Sequence, residues 1–195
     1  MSRGRSEMVG RARERRQIVA GLLAALERCD PEALREADVI AAAGIAPAAF
    51  HAHFDDLDAC FDFACEASLD VLLGPMVASW SVPRAPSARL ADALAALLGS
   101  LAAQPRLATL CLRDSVARQP DHRTYRRVVE AVAELLRDVG PKSAPPGRPM
   151  GEVALARGVV GLIVARLAEG PQADLEALRP QLLALLLPAL DLDTE

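Results

Sequence analysis

Aromatic residues and paired cysteines are scarce in this sequence. Phe, Trp and Tyr make up 3% of its 195 residues. The cysteines lie without a CxxC pair, and the N-terminal stretch lacks the apolar centre of a signal peptide. They are Cys29, Cys60, Cys65 and Cys111. We therefore expect reduced thiols and a cytoplasmic location.

Long apolar runs are also missing. The longest uncharged stretches, such as 71–83 and 93–105, fall short of the roughly 18 apolar residues that cross a bilayer, so we expect no membrane partner. Hydrophobic residues are 52% of the chain, mostly Ala and Leu, against 25% charged residues. This composition favours helices around an ample core, and we predict an all-α protein of about nine helices.

Charge is unevenly distributed along the chain, whose net charge is -4. The first sixteen residues hold six arginines and two glutamates, a basic arm suited to phosphates. Between residues 30 and 70, ten acidic residues face one base, Arg35, and no Lys or Arg occurs from 36 to 83. The acidic stretch therefore argues against nucleic-acid binding by this segment alone.

Apolar spacing predicts four helices in the N-terminal part. Apolar residues recur every four positions from Ile18 to Leu26, which predicts a first helix over about 14–28. A second helix follows the Asp-Pro pair at 30–31 and stops at Gly44. Pro47 opens a short third helix, and two aspartates at 55–56 cap a fourth.

The rest of the chain predicts five further helices. They cover about residues 87–104, 106–118, 122–139, 150–168 and 174–187, with a turn at Gln119-Pro120-Asp121 and a loop of four prolines over 140–149. We place an N-terminal domain at 1–60 and a C-terminal helical domain at 61–195.

One stretch carries a motif. Residues 39–61 read VIAAAGIAPAAFHAHFDDLDACF. They resemble the helix-turn-helix of TetR-like (tetracycline-repressor) transcription regulators, in which a helix ends in Ala-Gly-Val and a short recognition helix ends in an aromatic residue and His-Phe or Tyr-Phe. Two helices that cross steeply need a tight turn, and Gly44 can adopt the positive φ this requires. Phe50 and Phe54 would then clamp the short helix onto the first one.

The sequence departs from the family pattern at three positions. Ala46 stands where the family usually has Ser or Thr, His51 where it has Tyr, and Leu57 where a Lys grips a phosphate. The resemblance covers about residues 11–61 and implies a double-stranded DNA operator as partner. The implied contact residues are Arg11, Arg13, Arg15, Arg16, Ala46, Pro47, Ala48, Ala49, His51, Ala52 and His53.

The resemblance also implies a small-molecule effector and a homodimer. The family's pocket lies among the middle helices, here Met76, Trp80, Leu107, Cys111, Tyr125 and Val129. Each is more simply core, but a chain so poor in aromatics that keeps Trp80 and Tyr125 suggests a cavity for a mostly apolar effector. The last two helices hold more apolar residues than one core would bury, which suggests a partner subunit at Gly158, Gly161, Leu162, Leu182 and Leu186.

Other activities have little support. No catalytic triad, glycine-rich phosphate loop or paired-carboxylate motif occurs, so we expect no enzyme and no cofactor. His51 and His53 lie two apart on a helix and point to nearly opposite sides, so we expect no metal site. The sequence predicts a ligand-responsive transcription regulator, most simply a repressor released by its effector. The alternative is a helical dimeric ligand-binding or protein-interaction module that has lost sequence-specific DNA binding.

Overall fold

The computed structural model describes residues 2–119, 122–139, 151–170 and 173–192, with side chains from residue 9 onward. These residues form helices and connecting turns without a β-strand, which confirms the all-α prediction. The predicted loop over 140–149, the turn residues Pro120 and Asp121, and the side chains of Arg3 and Arg5 lie outside this description.

The helices are bounded as follows. In the first part of the chain they are α1 (Ser2–Leu26), α2 (Glu36–Ala43), α3 (Pro47–His51) and α4 (Leu57–Trp80). After them come α5 (Pro86–Ala103), α6 (Pro105–Ala108), a π-helix (Thr109–Asp114), α7 (Ser115–Arg118), α8 (Arg123–Val139), α9 (Glu152–Leu167), a 3-10 turn (Glu176–Leu178) and α10 (Arg179–Ala189). If the unbroken stretch from α6 to α7 counts as one helix, the described residues contain nine α-helices, as predicted.

The chain divides into two compact units, Met1–Ala67 and Ser68–Glu195, and the division falls within α4. We call them the N-terminal unit and the C-terminal unit.

Helix α1 is longer than the predicted helix, since it begins at Ser2 rather than near residue 14. Arg and Glu, which favour helices, make up six of the thirteen residues 2–14, and no proline interrupts the helix. Its apolar stripe starts only at Ile18, so periodicity could not reveal the first turns. The predicted basic arm is therefore the first half of a helix.

The core of the N-terminal unit forms where α1 crosses α2. Ile18, Leu22 and Val39 are buried there. A Cβ at Gly21 would lie 2.6 Å from Ala43 Cβ, so the missing side chain permits the close approach of the two helices. The side-chain amide of Gln17 donates a hydrogen bond to the Ala43 carbonyl at 2.9 Å and fixes the same crossing.

The core of the C-terminal unit is built from leucine and valine faces. In α5 the buried residues include Leu90, Leu94, Leu97, Leu98 and Leu101, and α8 buries Val128, Val132 and Leu136 against α9. Pro105 ends α5 as predicted and opens α6, and the helical directions on its two sides differ by 103°. Among the described residues no single helix is long and apolar enough to span a membrane, and only this bent pair meets the length and composition criteria together.

Candidate nucleic-acid interface

The turn between α2 and α3 has the predicted geometry. Gly44 adopts φ 65° and ψ 37°, the left-handed conformation that costs glycine least. Its N–H donates to the Ala41 carbonyl at 3.3 Å, and the Ile45 N–H donates to the Ile40 carbonyl at 3.3 Å. These bonds satisfy the last carbonyls of α2, so the helix ends at Ala43 and the chain turns sharply into α3.

Two phenyl rings hold α3 from behind, as predicted. Phe50 is 0% exposed and Phe54 is 6% exposed, and their ring centroids are 5.8 Å apart. Phe63 of α4 extends the cluster, with its ring centroid 5.5 Å from that of Phe54. Because its inner face is fixed, α3 presents its other face outward.

Apart from the exposed His51, the outward face of α3 and of its two flanking residues consists of small residues. Ala46, Pro47, Ala48 and Ala52 are exposed, and Ala49 is half-buried. Pro47 occupies the first turn of the helix, where its missing N–H leaves no hydrogen bond unmade. A helix with such short side chains allows its backbone to come close to a partner surface.

The two histidines of the motif are both engaged with carboxylates. The exposed ring of His51 has its Nε2 3.2 Å from Glu36. The His53 side chain is only 3% exposed, and its Nε2 lies 2.6 Å from Glu14 Oε2 on α1. His53 therefore ties the residues after α3 to α1, a role that neighbouring residues in the sequence could not indicate because its partner is 39 positions away.

The predicted arginines lie along one helix. Arg11, Arg13, Arg15 and Arg16 are all exposed on α1. The Arg15 guanidinium lies over Phe63, 5.1 Å from the ring centroid, and 5.8 Å from the centroid of Phe54. This cation–π contact links the exposed arginines of α1 to the phenyl cluster that supports α3. The sequence could not predict the contact, because it depends on how α1 and α4 pack.

The six residues predicted for an effector pocket lie on four elements, which are α4, α6, the π-helix and α8. Cys111 and Val129 are buried in the π-helix and α8, which pack against each other. Trp80, by contrast, donates from Nε1 to Asp138 at 3.1 Å, near the end of α8. Tyr125 lies 13 residues before Asp138 on α8, which separates their backbones by about 20 Å. Leu107 is half-buried on α6, and Met76 is buried on α4.

Two charged side chains, those of Arg89 and Asp138, contact Trp80. The Arg89 guanidinium lies 4.2 Å from the Trp80 ring centroid and pairs with Asp138 at 3.0 Å. The indole is therefore held by a cation on its face and a carboxylate at its N–H. The fluorescence of Trp80 should therefore respond to changes in the packing of α4, α5 and α8.

The π-helix contains a buried charged residue. Asp114 is 1% exposed and accepts a hydrogen bond from Arg113 at 2.8 Å. Burial raises the pKa of the Asp114 carboxyl, while the hydrogen bond and the charge of Arg113 act in the opposite direction. Thr124 Oγ1, fully buried in α8, has no hydrogen-bond partner among the described residues.

The four cysteines are free thiols. Cys60 is 0% exposed, and burial raises the pKa of its thiol to about 12. Cys60 is thus a small core residue without thiolate character at neutral pH.

The predicted dimer residues divide between surface and core. Gly158 is exposed, Leu162 is 39% exposed and Gly161 is half-buried on α9. Leu182 and Leu186 are 0% exposed within the single chain. The exposed apolar surface of these helices also includes Val153 and Leu185.

Comparison of the sequence with protein-family models and with curated proteins gives no match. The fold, however, is similar to that of the fatty acid degradation regulator FadR from Bacillus halodurans, with a TM-score of 0.70. The match covers 92% of this chain and 97% of that one at 15% sequence identity. The similarity extends over nearly the full length of both chains and, at this low identity, shows a shared helical fold, in which a smaller N-terminal unit precedes a larger helical one.

Proposed function

We propose that this chain is a TetR-like transcription regulator that binds double-stranded DNA through its N-terminal unit. The observation that carries the proposal is the outward presentation of α3, which follows a left-handed turn at Gly44 and is supported by Phe50 and Phe54. In helix-turn-helix proteins the second helix of such a pair enters the major groove. The structural similarity to a regulator supports the same assignment.

The exposed arginines of α1 supply the affinity in this proposal. Phosphate contacts are independent of base identity and provide most non-specific binding. On α1, Arg11 and Arg15 form an i, i+4 pair, and Arg13 and Arg16 form an i, i+3 pair on another side of the helix, so the two pairs would contact phosphates on different sides of α1. Base selection would come from methyl contacts between the alanines of α3 and thymine, and His51, the last residue of α3, would lie at the edge of this contact surface.

Regulation in this proposal comes from the C-terminal unit. A homodimer would form through the exposed apolar face of α9 and α10, and a small, mostly apolar effector would bind among the middle helices. In such a dimer the effector releases the DNA only if it binds more tightly to a conformation in which the distance between the two N-terminal units does not match the operator. Such a regulator would act in the cytoplasm.

A second function is favoured by the acidic surface next to α3. Asp55, Asp56 and Asp58 are exposed there, and Glu36 already engages the exposed His51. Such charges repel phosphates, so the chain could be a helical dimeric binding module that has lost sequence-specific DNA recognition.

Salt-dependent DNA binding separates the two functions. Binding of the DNA that flanks the gene would be followed by fluorescence anisotropy at several salt concentrations. For a dimer, removing two arginines per chain with Arg13→Gln and Arg16→Gln should lower the slope of log K against log salt by about 3 to 4. The matched control, Arg126→Gln with Arg137→Gln on α8, removes equal charge and should leave the slope unchanged. Equal slopes for both variants, or no binding by the unaltered protein, would favour the second function.

A further inference from the structure

A groove runs along the N-terminal unit between α1 and the first half of α4. Its volume is about 540 Å³, within the roughly 300 to 1,000 Å³ of sites that hold small ligands. We call it the α1–α4 groove, and its lining includes Arg11, Arg15, Arg16, Val19, Phe63 and Ala67.

The floor of the α1–α4 groove is apolar. Phe63 and Val19 are half-buried, and Ala67 is exposed. Water against such a concave apolar surface is released when a ligand covers it, which favours an occupant with an apolar body. An inorganic anion would leave this surface uncovered.

Among the side chains that the structure describes, the rim of the groove carries cations without anions. The charged residues of this described lining are arginines, and no described carboxylate forms an ion pair with Arg11, Arg15 or Arg16. The nearest acid in sequence, Glu14, is engaged by His53 at 2.6 Å. The guanidinium of Arg15 is held over Phe63, so one donor group already lies at the boundary between rim and floor.

From this combination we infer that the α1–α4 groove binds a small amphipathic anion. Its apolar body lies against Phe63 and Val19, and its carboxylate or sulfonate pairs with Arg11 and Arg15. A regulatory consequence rests on the proposed function. Because the same arginines would contact DNA phosphates, the anion and DNA would compete for the N-terminal unit directly.

The first test compares two fluorescent probes on the full chain without DNA. The probe 8-anilinonaphthalene-1-sulfonate is an amphipathic anion, and N-phenyl-1-naphthylamine has nearly the same aromatic body without the charge. We expect the anion to bind about tenfold more tightly, because two charge-assisted contacts are absent for the amine. Equal affinity for the two probes, or no saturable binding of the anion, overturns the inference.

Matched variants then locate the site. Ala67→Phe fills the groove and should abolish binding of the sulfonate at this site, whereas Ala20→Phe places the same ring on an exposed part of α1 outside the groove. Arg11→Gln with Arg15→Gln should weaken binding about tenfold, and Arg13→Gln with Arg28→Gln, which removes equal charge outside the groove, should change it less than twofold. Circular dichroism checks that each variant is folded. Equal binding by Ala67→Phe and Ala20→Phe means that the probe lies elsewhere and overturns the inference.

DNA competition tests the regulatory consequence separately. At ten times its dissociation constant, the sulfonate should raise the apparent dissociation constant for DNA about elevenfold, and the effect should vanish in Ala67→Phe. An unaltered DNA affinity while the groove is saturated overturns competition but leaves the ligand site. If the chain binds no DNA at all, the proposed function fails, while the probe measurements still decide whether the groove is a ligand site.

Discussion

At the scale of single residues, the glycines Gly21 and Gly44 perform different tasks. Gly44 supplies a backbone conformation, since no atom lies within 4 Å of a Cβ built there. Gly21 supplies space, since a Cβ there would meet Ala43 at 2.6 Å. The first task could be predicted from the Ala-Gly-Ile turn, but the second required knowledge of which helix crosses α1 and where.

Replacement of Gly21 should therefore destabilise the N-terminal unit. Gly21→Ala forces α1 and α2 apart, and overpacking of this kind costs about 1 to 3 kcal/mol. The matched control is Gly10→Ala on the same helix, where no atom lies within 4 Å of the new Cβ. Alanine should be neutral or stabilise the helix there by about 0.5 to 1 kcal/mol. Chemical denaturation followed by circular dichroism measures both, and an equal effect of the two substitutions would contradict the proposed role of Gly21.

Within the motif, roles that follow from helical spacing could be predicted from the sequence, and roles that depend on tertiary contacts could not. Phe50 and Phe54 could be assigned to the inner side of the motif because their i, i+4 spacing is local, although α3 ends at His51 and Phe54 lies just beyond it. The burial of His53 against Glu14 could not, because histidine is common both on surfaces and at buried hydrogen-bonded positions, and its partner comes from another helix. Residue roles were thus predictable where helical geometry alone decides them.

At the scale of elements, the stretch from α6 to α7 was predicted as one helix, and the structure adds a π-helical segment within it. The π-helix, Thr109–Asp114, contains both Cys111 and the buried Asp114. An i to i+5 hydrogen-bond pattern has no clear sequence signal, since each of its bonds spans only one residue more than the i to i+4 bond of an α-helix. Prolines, by contrast, were informative, because Pro47 and Pro105 both open helices as their missing N–H requires.

The charged pair within this π-helix should be needed for stability. Arg113→Met leaves Asp114 buried without its cation, which costs about 2 to 3 kcal/mol of unfolding free energy at neutral pH. The pKa of Asp114 is already raised by burial and should rise further when Arg113 is removed. Protonation neutralises the buried carboxyl, so the cost should shrink as pH falls and grow as pH rises through the folded-state pKa.

The measurement is urea denaturation of both proteins at pH 5 and pH 8. Arg118→Met on the adjacent α7 is the control, because it removes an arginine from the same stretch while Asp114 keeps its contact with Arg113. A destabilisation by Arg113→Met that is the same at both pH values would contradict the assignment of the cost to the Asp114 carboxylate.

At the scale of the whole molecule, the all-helical fold and its N-terminal head could be predicted because composition, capping and one motif agreed. The distribution of the apolar residues on the last two helices could not. Leu182 and Leu186 are core residues of the single chain, whereas Leu162 and Leu185 remain partly exposed. A helix that is apolar on nearly every side gives no periodicity from which its inward face can be chosen.

The proposed homodimer makes a testable prediction about this exposed face. Leu162→Glu places a charge where the partner would pack and should convert a dimer into monomers, since an unpaired charge in an apolar interface costs several kcal/mol. The control, Val82→Glu, changes a residue that is 48% exposed in the loop before α5. Analytical ultracentrifugation measures both, and a dimer that persists in Leu162→Glu would place the interface elsewhere.

The alanine-rich face of α3 has a consequence for how specificity would arise. A methyl group has no rotamers to immobilise, so docking this helix would lose almost no side-chain entropy. A mismatched site would then be rejected by steric misfit rather than by a missing hydrogen bond. Operator choice would follow the contour and width of the groove more than the pattern of donors and acceptors on its base pairs.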